Sequence, residues 1–301
     1  MTIGIAGLGE MGGGMMDRLL LAGRPASGYN RTPEKAAPFA ARGMRVAASP
    51  KALAAECDLV ISMVTNDAAL EAIAGGENGI LAGLRPGATW VDASTVSPPA
   101  ASALEARVAP SGATFLGAAA LGSPLTIARG QLLIVIGGDE AACARVRPAL
   151  EDIGPTVRRV GTAAQAKVMK IALNLNLPIQ MLALSECVLL AEKNGIPREV
   201  ALDVMLGGVL ASPALAYRAP FILDMPEKAW FDVGMMQKDL NLALALGQAA
   251  GVPLPATAVT SEMLSATKAC GWGDYDFAVL FYTLARMAGA EDATPRARGG
   301  S

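Results

Sequence analysis

Short apolar runs punctuate the first half of the chain at Thr2–Ala6, Asp58–Val64, Thr89–Asp92, Leu132–Ile136 and Thr156–Val160. Each is bounded by turn-forming or polar residues and predicts a buried strand. Between them, Pro50–Glu56, Pro98–Val108 and Glu140–Ile153 read as helices, as does a run through Leu19–Leu21. A strand at Pro25–Tyr29 is weak by propensity and is placed by spacing alone. Strands alternating with helices predict βαβ units and a mostly parallel, doubly wound sheet. After Gly161 the texture changes. Residues 163–193 predict one long helix interrupted only by Pro178, and the rest is helix-like with Pro and Gly punctuation. Two domains follow: an α/β domain over 1–161 and an all-α domain over 162–290, with a disordered tail over 291–301.

Pro178 lacks an N–H, so the carbonyl of Asn174 loses its helical partner and a kink is expected there. Residues 171–190 are apolar on nearly all faces, which predicts burial on all sides. The stretch 171–191 is also the most membrane-like, but Asn174, Asn176, Gln180 and Glu186 interrupt it, and a buried helix is the expectation. No membrane association is expected.

Composition narrows the function. The 301 residues are 52% apolar and 17% charged, with a formal net charge of −2. That fits large cores and gives no electrostatic footprint for nucleic acid. The four cysteines, Cys57, Cys143, Cys187 and Cys270, form no CxxC pair, which suits a reducing cytoplasm. Histidine is absent altogether. His bases, His metal ligands and every Ser-His or Cys-His nucleophile are thereby excluded, and no metal site is expected.

Gly7-Leu8-Gly9-Glu10-Met11-Gly12 matches G-x-G-x-x-G directly after the first strand and at the head of a helix, the context of a Rossmann dinucleotide site. Gly7 permits the tight turn, Gly9 lets the pyrophosphate approach the backbone, and Gly12 lets helix and strand pack closely. About 20 residues further on, NAD enzymes usually carry an acid for the ribose 2′-OH. Here Asn30-Arg31-Thr32 stands instead, with no carboxylate before Glu34. A guanidinium grips a 2′-phosphate, with the Thr hydroxyl and Asn amide as further donors, so NADP(H) is the expected cofactor.

Without histidine, reducing a carbonyl calls for another proton donor, and a desolvated Lys is suited to it. Lys170 and Asn174 stand four apart and share one helix face: one can donate the proton while the other holds the oxygen.

Several segments together resemble the β-hydroxyacid dehydrogenase family, which includes 3-hydroxyisobutyrate dehydrogenases and glyoxylate/succinic semialdehyde reductases. They are GLGEMGGGM at 7–15, NRTPEKA at 30–36, DASTV at 92–96, FLGAAALGSPLTIARGQLLIVIGG at 115–138, Gly161 with Lys170 and Asn174, QKDLNLALALG at 237–247 and GWGDYDFAVL at 271–280. The likeness spans roughly residues 2 to 285. It implies the roles just given for Lys170 and Asn174. Its site lysine stands nine residues after Gly161, which implies that Lys170 is that lysine and that Lys167, one turn earlier, is structural. It also implies that Lys238 reaches the nicotinamide end of the cofactor, that Met63 and Val64 line it, that Thr95 and Ser94 lie near nicotinamide and substrate, and that Phe231 is the aromatic ahead of the second lysine. The segment Gly117–Ser123 corresponds to the substrate-binding stretch, with Leu121, Gly122 and Ser123 at the substrate. It departs from the family's D-x-P-V-S-G-G: the acid is Gly117, the proline Ala119 and the serine Leu121.

The expected function is hydride transfer between NADP(H) and a small aldehyde acid, keto acid or 3-hydroxy acid. An imine or uncharged-carbonyl reductase is the alternative, favoured by Leu121 and opposed by Lys170. A non-enzymatic NADP(H)-binding protein is the third reading, opposed by the Lys170/Asn174 pair. Members of the resembling family pair through the helical half, which implies a homodimer or a higher homo-oligomer.

Overall fold

The computed structural model describes residues 1–290 and 293–295, so the tail expected over 291–301 lies almost wholly outside the described residues. The chain divides into two compact units, 1–170 and 171–301.

In the first unit eight strands form one sheet: β1 (Ile3–Ala6), β2 (Ala26–Tyr29), β3 (Arg45–Val46), β4 (Leu59–Ser62), β5 (Thr89–Asp92), β6 (Thr114–Leu121), β7 (Leu133–Gly137) and β8 (Thr156–Arg159). Their order is β3-β2-β1-β4-β5-β6-β7-β8, parallel throughout except that β7 runs antiparallel to β6. The helices of this unit are α1 (Glu10–Leu21), α2 (Ala37–Ala40), α3 (Pro50–Glu56), α4 (Asp67–Ala74), α5 (Pro98–Val108), α6 (Pro124–Ala128), α7 (Glu140–Ile153) and most of α8 (Ala163–Asn174). The order reverses between β1 and β4, and in open parallel sheets such a switch point opens a crevice at the strands' carboxyl ends.

Burial follows the two-residue period of the strands. Ile3, Ile5, Leu59, Ile61 and Val91 join one core with Met15, Met16 and Leu19 of α1. Ala6, Val60 and Trp90 face the other core, with Leu53, Leu70 and Leu104. Because both faces are covered, these strands are apolar at nearly every position.

Two strands are absent from the sequence reading. β3 is only two residues long and exposed. β6 was expected only as a substrate-binding stretch; its run of Gly and Ala has little β propensity, and pairing with β5 and β7 on either side overrides it. The boundary between units also falls nine residues beyond Gly161, inside α8, because the first turns of that helix dock onto the sheet through buried side chains described below.

The second unit holds α9 (Asn176–Lys193), α10 (Arg198–Gly207), α11 (Pro213–Arg218), α12 (Val233–Ala250), α13 (Pro255–Ala269) and α14 (Leu280–Met287). Its core gathers Met181, Leu184, Val188, Leu240, Leu264, Phe277 and Phe281. Arg218 and Asp276 form a buried ion pair beneath it, and Asp276 also accepts the backbone N–H groups of Trp230 and Phe231. Such a pair fixes geometry more than it adds stability.

The helical ladder is interrupted beside Leu175, between α8 and α9, in keeping with a Pro178 that cannot bond back to Asn174, while Leu175 itself keeps helical dihedrals (φ −59°, ψ −28°). By length and apolar composition, residues 163–193 could cross a bilayer, but Met181, Leu184 and Val188 pack into the second core. Burial on all sides, expected for 171–190, is not what the structure shows. Leu173 is 38% and Leu190 69% exposed. The neighbours within one chain cover only one side of the helix.

Candidate functional site: a dinucleotide cradle and a lysine-asparagine turn

The glycine motif sits at the switch point. Gly7 has φ +102°, which disfavours any side chain, and a Cβ there would meet the Met63 carbonyl oxygen at 2.2 Å. A Cβ on Gly12 would meet the Gly7 oxygen at 1.9 Å. Gly9 differs from both: a Cβ there meets nothing within 4 Å, and its φ of −73° is open to any residue. Packing therefore explains Gly7 and Gly12 but leaves Gly9 opening onto free space at the N-terminus of α1, where backbone N–H groups and the helix dipole favour an anion. That combination fits a dinucleotide pyrophosphate. Leu8 is buried beneath the turn, Glu10 and Met11 begin the helix, and Met63 and Val64, at the end of β4, are half-buried beside it.

Past β2, Asn30 turns inward. Its Oδ1 accepts the Leu8 N–H at 2.9 Å, and its Nδ2 donates to the Thr32 carbonyl at 2.9 Å. The Asn30 amide thus joins the glycine turn to the next loop, and these two bonds use one of its two Nδ2 hydrogens. Arg31 and Thr32 are exposed, and Arg31 makes no hydrogen bond or ion pair with any described residue. An unengaged guanidinium at this loop remains available to a ligand.

At the end of β5 lies a buried polar network. Asp92 is fully buried, and its Oδ1 accepts the hydroxyls of Ser62 and Ser94, both at 2.7 Å. Trp90 Nε1 donates to the Ser62 hydroxyl at 2.9 Å, and the Ser94 hydroxyl accepts the Val64 N–H at 2.9 Å. Ser94 is 0% exposed, so its hydroxyl is spent inside the network and does not face a substrate. Thr95, the next residue, is half-buried.

Lys167 of α8 closes this network. It is 0% exposed, and its Nζ donates to Asp92 O (2.6 Å), Asp92 Oδ2 (2.7 Å), Ser94 O (3.0 Å) and Ala118 O (3.0 Å). Burial pushes this ammonium below the ordinary lysine range, and the Asp92 carboxylate opposes that shift. One turn on, Lys170 donates to Ala120 O at 2.8 Å. Lysines three apart on the helix therefore grip carbonyls two apart on β6. Leu121 closes β6 half-buried, against the cluster of Ala119, Val135 and Ala166. Gly122, at φ +149°, is exposed. The Ser123 hydroxyl caps α6, accepting the Thr126 N–H at 3.3 Å and sharing a hydrogen bond with the Thr126 hydroxyl at 3.0 Å. Like Ser94, Ser123 is buried, and its hydroxyl caps the helix that follows.

In the second unit Asn174 is 5% exposed and donates through Nδ2 to Asp239 Oδ2 at 2.6 Å. The bond fixes which way the amide points. Lys238, a quarter exposed, pairs with Asp239 Oδ1 at 2.9 Å. Lys238 lines a concavity of about 350 Å³ with Gly234, Gln237, Asn241, Leu242 and Lys268. Phe231 is half-buried, edge-on to Phe277 at 6.1 Å between ring centroids, and serves the second core. Asp92 and Asp239 were missed as site-shaping residues. Both stand in motifs quoted from the sequence, DASTV and QKDLN, but nothing local says that each orients a partner far away in the chain. No group of three or more His, Cys, Asp or Glu suited to a metal occurs among the described residues.

Two family models cover almost the whole chain. One, described as the NAD binding domain of 6-phosphogluconate dehydrogenase, matches residues 2–161. The other, described as NAD-binding of NADP-dependent 3-hydroxyisobutyrate dehydrogenase, matches residues 164–284. The chain is 29% identical over 283 residues to the chloroplastic glyoxylate/succinic semialdehyde reductase 2 of Arabidopsis thaliana, covering 94% of this chain and 79% of that protein. It is 31% identical to the cytokine-like nuclear factor N-PAC of Homo sapiens over 93% of this chain, and spans 50% of that protein's length. The solved 3-hydroxyisobutyrate dehydrogenase of Salmonella typhimurium matches with a TM-score of 0.86 at 27% identity, covering 93% of this chain and 98% of that one.

Proposed function

The chain belongs to the β-hydroxyacid dehydrogenase family and is an NAD(P)-dependent oxidoreductase, and from that premise we propose an NADPH-preferring reductase of small aldehyde or keto acids, working in reverse on the hydroxy acids. The observation that carries this reading is the Lys170/Asn174 turn: two polar side chains at i and i+4, each held by a defined partner, on a chain with no histidine. The nicotinamide, when bound, supplies the hydride. Lys170 holds the proton that the carbonyl oxygen receives, and Asn174, oriented by Asp239, holds that oxygen in place. Gly7, Gly9 and Gly12 with the head of α1 take the pyrophosphate, and Lys238, Thr95, Met63 and Val64 are assigned to the nicotinamide half by family likeness. The cytoplasm is the proposed compartment. A screen of NADPH oxidation against aldehydes, keto acids and cyclic imines tests the assignment; turnover of imines alone would overturn it.

The cofactor preference rests on Arg31 and the missing acid. NADPH is expected to exceed NADH by at least about tenfold in kcat/KM, roughly 1.4 kcal/mol. Arg31→Ala should remove most of that gap. Equal use of both cofactors by the wild-type protein would contradict the assignment.

An uncharged carbonyl or imine substrate is the second reading, and one observation favours it. Leu121 stands where the family carries a serine, and the Ser94 hydroxyl donates internally to Asp92. Few side-chain donors remain for a carboxylate. Since a neutral hydrogen bond contributes only about 0.5–1.5 kcal/mol, uncharged aldehydes should be turned over within about tenfold of glyoxylate or succinic semialdehyde. Leu121→Ser should shift preference toward the acids, and because Leu121 packs against Ala119, Val135 and Ala166 it should also lower the melting temperature. A strict requirement for a carboxylate in steady-state kinetics would defeat this expectation.

Assembly through the helical unit follows from the uncovered apolar side chains of Leu173 and Leu190. Light scattering at micromolar concentration should find a homodimer or higher oligomer; a monomer alone would contradict it.

A further inference from the structure

We propose that Lys167 is the positioning residue for Lys170. The inference rests on the reading of Lys170 as the proton donor, and it adds a residue to that site. Lys167 Nζ has three protons and four carbonyl or carboxylate acceptors within 3.0 Å, drawn from the end of β5 and from β6. Those acceptors reach the working segments on every side. Ser94 O precedes Thr95. Asp92 Oδ1 holds the Ser94 hydroxyl, which in turn holds the Val64 N–H. Ala118 O lies two residues before the carbonyl that takes Lys170.

A helix docked on a strand by one lysine could rotate or slide. Docked by two, three apart on α8 and two apart on β6, it has one register. The first lysine has no other work: it is fully buried, touches no solvent, and its charge is matched by Asp92. The second is half-buried at the exposed end of the same ladder. Lys167 thus sets the rotation and height of α8, and with them the position of Lys170 Nζ above the end of β6.

Removing Lys167 alone would strand the Asp92 carboxylate in the core, so the informative variant changes both, Asp92→Asn with Lys167→Met, keeping volume while removing both charges. It is compared with Lys170→Ala and with the triple variant in NADPH oxidation with glyoxylate or, where faster, succinic semialdehyde. The paired variant should fold, bind NADPH within about threefold of wild type, and lose about tenfold to a hundredfold in kcat, the usual effect of a displacement near 1 Å. The solvent deuterium isotope effect on kcat should rise, because proton transfer from a misplaced Lys170 becomes rate-limiting. In the Lys170→Ala background the same pair of changes should cost less than about twofold, since residues that act as a unit are not additive.

A wild-type kcat in the paired variant overturns the proposal. So does a loss that adds in full to that of Lys170→Ala, a parallel loss of NADPH binding, or failure of the charge-balanced variant to fold, each of which makes the clamp a general structural element. Lys170→Ala with full activity would instead overturn the reading of Lys170 itself.

Discussion

Lys170→Ala is expected to lower kcat by roughly two to four orders of magnitude, the span usual for a general acid or base, while NADPH binding stays nearly intact. The physical reason is the division of labour along α8. Lys170 is held at the end of β6 by the Ala120 carbonyl, away from the glycine turn that takes the cofactor's phosphates. Its removal deletes a proton donor that no nearby histidine can replace. Cofactor affinity, measured by fluorescence titration, should move by less than about threefold, because the lost interaction is made to the reacting oxygen and acts mainly in the transition state. Loss of NADPH binding in step with kcat would show that Lys170 supports the cofactor instead. Were Asn174→Ala to prove far more damaging than Lys170→Ala, the two roles would have to be exchanged.

The second large effect separates the glycines. Gly12→Ala should destabilise the protein in the absence of cofactor by about 1–3 kcal/mol or more, the cost of overpacking a tight contact. A methyl group there sits 1.9 Å from the Gly7 carbonyl oxygen, and the opposing atom is backbone, so β1 or α1 must move. Gly9→Ala should behave oppositely. Its methyl meets nothing within the chain and its backbone conformation suits alanine, so the melting curve should barely change. Its effect appears only when the pyrophosphate arrives: NADPH should bind at least about tenfold more weakly, or roughly 1.4 kcal/mol. Melting curves with and without NADPH distinguish the two. Equal destabilisation of the apo protein by both variants, or unchanged NADPH affinity in Gly9→Ala, would mean that the turn does not carry the cofactor.

Legibility in the sequence depended on whether the determining contact was local. The strands β1, β4, β5 and β8, and the helices α3, α5 and α7, were readable because each is a run whose burial or period declares itself within a few residues. The helical bond missing at Asn174 was readable because Pro178 lacks the N–H that would make it. The eight residues of β6 were not, because Gly-Ala-Ala-Ala carries no strand preference of its own. The same distinction applies to the polar candidates of the site. Asn30, Ser94 and Ser123 are residue types that bind ligands or cap turns with equal ease, and only their neighbours decide which.

The chain by itself determined the class of chemistry. A glycine motif between a strand and a helix, an arginine where an acid would stand, no histidine, and a lysine four residues before an asparagine point to redox chemistry on a nicotinamide dinucleotide. All of these are matters of residue type at short separation, which backbone geometry converts directly into position. The tertiary structure alone decided which polar side chains are spent inside the protein. Lys167 and Lys170 differ by one helical turn in the sequence, yet one is sealed against Asp92, 75 residues away, and the other reaches the end of β6. Burying a charge is costly unless it is paired and hydrogen-bonded. The partner that makes such burial possible is therefore chosen by the packing of strands and helices brought together from distant parts of the chain, and no local pattern records it.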